Sequence, residues 1–180
     1  MLSFGPISSA PVGALPDDFS AKFDLHEEDG SNSIIQIATF FDRALIERLQ
    51  QYPEDLRSID RRFFEQLVAE LFSGFGYEVE LTQRTRDGGK DIIAVKRAEI
   101  DLRFLIECKR PDPGNPVSVS TVRELYGVKV DDGASKAILA TTTYFSPDAK
   151  RFSEKHLWEL ELRDFEAIKG WIAKYLGVQK

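Results

Sequence analysis

Apolar residues recur at Phe64, Leu67, Val68, Leu71 and Phe72, the three- and four-residue steps of a single helical face. This predicts a helix over 60–73, stopped by Gly74 and Gly76 as C-terminal glycines do. Three strand-like segments follow at 77–83, 91–97 and 103–109. A turn containing Asp87-Gly88-Gly89 joins the first two, and a short polar loop joins the last two. Pro111, Pro113, Gly114 and Pro116 mark an irregular loop before a helix over 120–130. Ala137, Ile138, Leu139 and Ala140 make 136–142 a buried strand. Ser146-Pro147-Asp148 then supplies a hydroxyl cap, a proline at the first helical position and an acid near the positive dipole end. A short strand over 158–162 precedes Asp164, which caps a last amphipathic helix carrying Phe165, Ile168, Trp171, Ile172 and Leu176.

Upstream the pattern is less regular. Ile37, Phe40, Phe41, Ala44 and Leu45 predict a helix over 34–49, broken at Tyr52-Pro53-Glu54-Asp55. Residues 1–33 are rich in Gly, Pro, Ser and Asp without apolar periodicity, and read as an arm or irregular wrap. No internal repeat is evident. Helix, three strands, helix, strand, helix, strand, helix imply an α/β domain with a mixed sheet covered on both sides. The division expected is an N-terminal arm and helix over 1–51 and the sheet domain over 52–180.

Composition narrows the class without naming a function. A chain of 180 residues with 42% hydrophobic and 30% charged residues suits one soluble domain with an appended segment. Pro6, Pro11 and Pro16 interrupt the apolar residues of a start that lacks a basic region, so no signal peptide is expected; no apolar run is long enough to span a bilayer. A cytoplasmic protein with no membrane partner is the expectation. Cys108 is the only cysteine, which excludes an internal disulfide and a multi-cysteine zinc site. A formal net charge of −6 argues against coating nucleic acid by bulk attraction. Charge is uneven, however. Residues 17–60 hold eleven acids and four bases, whereas 84–110 hold eight bases and five acids, so a local basic face is available.

The candidate chemistry lies in that basic stretch. On a strand, side chains alternate, so Glu107 and Lys109 project from one face and Ile106 and Cys108 from the other. A carboxylate and an ammonium within an apolar strand are costly unless partnered. Glu107 fits a hard oxygen ligand for Mg²⁺ or Mn²⁺, and Lys109 a group that orients water or neutralises charge on a phosphorane. Asp91 opens the preceding strand; in antiparallel pairing its start meets the end of the next, so Asp91 should face Glu107. Two carboxylates converging at a strand end make a divalent-cation site. Paired glycines just before Asp91 permit positive φ and close approach of a phosphate backbone. Alone, an E-x-K pair is ordinarily a solvated charge pair and an Asp-Gly-Gly turn a hairpin connection. Their combination, in order and at hairpin distance, points to a site.

With Phe64-Glu65, Gly76-Tyr77, Asp87-Gly88-Gly89-Lys90-Asp91 and Glu107-Cys108-Lys109 in view, the chain resembles the Mrr-type branch of the restriction-endonuclease-like, PD-(D/E)xK nuclease superfamily. Val122-Arg123-Glu124-Leu125-Tyr126-Gly127 and Thr141-Thr142-Thr143-Tyr144-Phe145-Ser146 extend the match, which spans roughly residues 52–176. The resemblance implies a restriction-endonuclease-like mixed sheet flanked by helices, here with a helical N-terminal extension. It implies that Asp91 and Glu107 bind the metal and that Lys109 is the catalytic lysine. Glu65 matches the acid such nucleases often carry on their first helix; a surface carboxylate is the equal alternative. Many Mrr-type proteins carry glutamine where Glu107 stands, so the carboxylate strengthens the metal reading and weakens a subfamily assignment.

Other residues are weaker candidates. The Cys108 side chain suits core packing, while its backbone carbonyl suits a metal ligand. Arg84, Arg86, Lys90 and Arg110 flank the expected cleft as phosphate contacts or ordinary solvated charges. Tyr126 suits packing; Thr141, Thr142 and Thr143 suit either role. His26 and His156 read as solvated. The function implied is a Mg²⁺-dependent endodeoxyribonuclease in restriction or anti-phage defence, with DNA as substrate. A homodimer or a separate specificity or defence-system subunit is compatible with it. Two alternatives stay open: a junction-resolving, structure-selective nuclease and a catalytically silent DNA-binding module.

Overall fold

The computed structural model describes residues 43–82 and 89–178. Among these, five strands form one mixed sheet in chain order: β1 (Glu78–Leu81), β2 (Ile92–Lys96), β3 (Leu102–Lys109), β4 (Lys136–Thr141) and β5 (Leu160–Arg163). β1, β2 and β3 pair antiparallel, whereas β3, β4 and β5 run parallel. The parallel steps need crossovers, and α3 (Val119–Asp132) and α4 (Pro147–Glu154) supply them.

Alternation sorts the side chains between two cores. Ile106, Cys108, Ile138 and Ala140 face a cluster built with α1 (Arg43–Gln51), α2 (Arg61–Gly74) and α5 (Phe165–Val178). Ala137, Leu139 and Leu160 face the other cluster, with Val122, Leu125 and Ala149 of α3 and α4. The mixed sheet flanked by helices is the architecture expected from the element order.

Local chemistry sets the helix ends. Asp60 caps α2 by accepting from the Phe63 amide at 2.8 Å. At its other end Gly76 adopts φ +79°, and Lys96 donates to the Phe75 and Gly76 carbonyls. Ser146 accepts from the Ala149 amide, and Asp164 from that of Ala167, so both predicted caps form.

Several boundaries differ from the sequence pattern. The predicted helix over 34–49 lies partly outside the described residues. Its described portion, α1, buries Ile46 and Leu49 while Ala44 is exposed. The break after it is a single 3-10 turn, Pro53–Arg57, whose Leu56 is buried. The last strand begins at Leu160, not 158, because the His156 carbonyl holds the Glu159 and Leu160 amides in a turn. Trp158 is consequently 89% exposed. No helix among the described residues is long and apolar enough to cross a membrane.

Candidate active site

The site forms where two neighbouring strands part. β2 and β3 pair as far as Ile92 opposite Ile106, and the Asp91 amide still donates to the Ile106 carbonyl at 2.9 Å. Beyond that point β3 continues beside β4, with Cys108 opposite Ala140 and Lys109 opposite Thr141. The Asp91 side chain turns into the resulting gap, and its Oδ2 accepts from the Cys108 amide at 2.7 Å. Asp91 therefore sits across from Glu107, as antiparallel pairing requires. Gly89, ahead of it, adopts φ +85°, as expected of that turn; Arg84, Arg86, Asp87 and Gly88 lie outside the described residues, as does His26.

Three buried carboxylates lie near this gap. Glu65, Asp91 and Glu107 are 1%, 5% and 7% exposed, and all three act electrostatically on Cys108. Burial pushes the Glu107 carboxyl up; Lys109 opposes that push, while the neighbouring Asp91 charge adds to it. Lys109 Nζ lies 2.6 Å from Glu107 Oε1. The Cys108 side chain is fully buried, and burial followed by the three acids holds its thiol well above the usual range. It is core packing, as its strand face dictates.

Glu65 is buried, so a solvated surface carboxylate does not describe it. Its Oε1 accepts from Arg61 Nε at 2.8 Å and its Oε2 from Arg62 at 3.0 Å. Arg61 also reaches Asp91 Oδ1 at 2.9 Å, so one guanidinium spans both acids. Burial lowers the Arg61 pKa, but the two carboxylates outweigh it and the net direction is up. Neither arginine stood out in the sequence. The signal was present in the spacing: Arg61 and Arg62 precede Glu65 by four and three residues on a helix.

Other candidates fall elsewhere. Lys90 pairs with Asp132 at the end of α3, which makes it a structural tie. Tyr126 donates to Glu159 at 3.0 Å and stacks on His156 and Phe152, away from the gap. Thr141, Thr142 and Thr143 are buried, with Thr141 opposite Lys109 across the β3–β4 ladder. Arg110 joins Arg61 and Lys109 in lining a cleft of about 330 Å³, completed by Pro111, Pro116 and Thr121.

The donor set suits a hard divalent ion. Among the described residues, no three His, Cys, Asp or Glu side chains stand close enough to cage a metal. Asp91, Glu107 and the Cys108 carbonyl are the oxygens such an ion would use, with waters completing its shell.

Comparison with known proteins bears on the family and the fold. The family model of the Mrr catalytic domain, described as a restriction endonuclease, matches residues 56–172. A curated relative, the uncharacterized protein y4cE of Sinorhizobium fredii (strain NBRC 101917 / NGR234), is 31% identical over 98 residues, 54% of this chain and 25% of that one. The fold is similar to that of the DNA modification-dependent restriction endonuclease AspBHI, with a TM-score of 0.53 and 22% identity over 76% of this chain and 39% of that one. The MspJI restriction endonuclease, solved with a 27-mer oligonucleotide, aligns at a TM-score of 0.49 and 19% identity over 71% of this chain and 30% of that one. The chain thus spans from a quarter to two fifths of the length of these relatives. Residues 56–172 place the chain in the Mrr catalytic family of restriction endonucleases.

Proposed function

We propose that the chain is a metal-dependent endodeoxyribonuclease in which Asp91 and Glu107 hold Mg²⁺ or Mn²⁺ and Lys109 assists phosphodiester hydrolysis. The observation that carries this reading is the convergence of buried Asp91 and Glu107, with Lys109 beside them, at the parting of β2 and β3. Burying carboxylates is costly, and a fold maintains such a cluster when the charges are used. A divalent ion held by Asp91 and Glu107 would supply Lewis-acid polarisation of the phosphate and a more acidic water.

The chain's own residues do the remainder. The Cys108 amide fixes one oxygen of Asp91 and so aims the other into the gap. Lys109 can donate a proton-bearing nitrogen toward the attacking water or toward a phosphorane oxygen as negative charge develops there. Glu65 contributes negative charge from α2 and positions Arg61. Flanking DNA phosphates meet the cleft lined by Arg61, Lys109 and Arg110.

Membership of a restriction-endonuclease family supports DNA as the substrate, and restriction of foreign DNA in the cytoplasm as the role. Sequence reading then falls to another domain or subunit, and a homodimer accounts for cutting both strands. The test is to incubate the wild-type chain with supercoiled plasmid, linear duplex, four-way junction and single-stranded RNA, in Mg²⁺, Mn²⁺ or EDTA. Metal-dependent cutting of plasmid and linear DNA is expected. Undiminished cutting in EDTA, or turnover confined to RNA, refutes the proposal; strong preference for junctions reassigns the chain to branched DNA.

A further inference from the structure

The Arg61 guanidinium occupies the place between Glu65 and Asp91 where a cation is needed. It bonds Glu65 Oε1 and Asp91 Oδ1, while the second oxygen of Asp91 is already held by the Cys108 amide. Oδ1 is thus the oxygen that Asp91 has to offer a metal, and Arg61 sits on it. Around the gap, Glu65, Asp91 and Glu107 are balanced by Arg61, Arg62 and Lys109, so the cluster is neutral without a metal.

Two further observations bear on what Arg61 is for. Arg61 and Arg62 are the first two residues of α2, which has no acid in its first turn. Cations there oppose the helix dipole. Exposure is also lopsided: the Arg61 side chain is 51% exposed, whereas Glu65 and Asp91 are almost fully buried. The acids need a cation, but the guanidinium keeps much of its hydration and does not need the acids. From the same position it lines the cleft shared with Lys109 and Arg110.

We propose that Arg61 is a resident counter-ion that competes with the divalent metal for Asp91 and, once displaced, passes its charge to a DNA phosphate. Two cations cannot share Asp91 Oδ1 without strong repulsion, so metal entry releases Arg61 into the cleft. Metal loading then turns a neutral site into a positive one, and metal and DNA bind with mutual reinforcement. This rests on Asp91 being a metal ligand, and the experiment separates the two claims.

Mn²⁺ affinity is measured by calorimetry without DNA on wild type, Arg61→Ala, Arg61→Lys and Asp91→Ala. Arg61→Ala should bind Mn²⁺ roughly tenfold tighter than wild type. It should melt lower in EDTA and gain more from Mn²⁺. Arg61→Lys, whose compact ammonium lacks the guanidinium fork that spans both acids, should lie between, and it serves as the decisive variant where Arg61→Ala does not fold. DNA binding is read in the Lys109→Ala background with Mn²⁺, where adding Arg61→Ala should reduce the salt slope by about one phosphate contact. Mn²⁺ affinity unchanged or weaker in the Arg61 variants, or an unchanged salt slope, overturns the proposal. Asp91→Ala binding Mn²⁺ as well as wild type overturns instead the assignment of the metal site itself.

Discussion

Asp91 is held through its amide and both of its side-chain oxygens. It closes the β2–β3 ladder with its amide, anchors on the Cys108 amide with one oxygen and pairs with Arg61 through the other. Glu107 is simpler, held by Lys109 within the part of β3, Leu105 to Cys108, that is buried on both faces. Glu107→Gln should keep the fold, since the amide is isosteric, while weakening Mn²⁺ binding at least about tenfold by removing a charged ligand. Circular dichroism paired with calorimetry checks this, and a variant that cannot fold would reveal a structural ion pair instead. The positions of Asp91, Glu107 and Lys109 were legible because strand periodicity and antiparallel pairing dictate which ends meet. Glu65 was picked out only by the resemblance, with a surface carboxylate as the equal alternative. Its burial depends on how far the helix is rotated over the sheet, which apolar spacing leaves open by a residue on either side. Arg61 was missed because an arginine four residues before a glutamate is common on exposed helices; only the third partner, thirty residues away, marks it out.

At the scale of elements, α2 and α5 make the platform that holds the site, and their contact is unusually close at one point. A Cβ on Gly74 would lie 2.2 Å from the Tyr175 ring, so glycine is required there. Gly74→Ala should cost about 1–3 kcal/mol in urea unfolding, despite alanine's better helix propensity. Beside it, the Tyr175 hydroxyl donates to buried Glu70 at 2.6 Å. Burial, then this hydrogen bond, pushes the Tyr175 phenol up to about 12. An unfolded tyrosine ionises near pH 10, so the raised folded value contributes stability that is complete below pH 10. That contribution is lost as pH rises through about 12. Tyr175→Phe should therefore destabilise the protein by about 1–2 kcal/mol at pH 7, and the gap to wild type should shrink between pH 10 and 12 in denaturation series. A gap independent of pH would show that the phenol is not the titrating group. Most elements were readable because caps and periods agreed, as at Ser146 and Asp164. The start of β5 was not: Leu157 and Trp158 look strand-like, but the turn at His156 keeps them outside the sheet.

For the whole molecule, the order of elements was enough to predict a mixed sheet with helices on both faces, because each crossover must run over a face. Composition leaves open how a chain of net charge −6 would engage the proposed DNA substrate. The site offers an answer of limited extent: a cleft lined by Arg61, Lys109 and Arg110 in a protein acidic elsewhere. DNA affinity should consequently fall with salt by only a few phosphate contacts, a shallow slope measurable by anisotropy. A steep slope of eight or more would point to an extensive basic surface outside the cleft. The central claim is that Asp91 and Lys109 act in metal-dependent cleavage, and the plasmid assay on single variants meets it directly. Purified wild type in Mg²⁺ or Mn²⁺ should nick or linearise supercoiled plasmid, whereas Asp91→Ala and Lys109→Ala, with unchanged circular dichroism, should be slower by roughly 10³-fold. Cleavage by both variants at the wild-type rate would contradict the account.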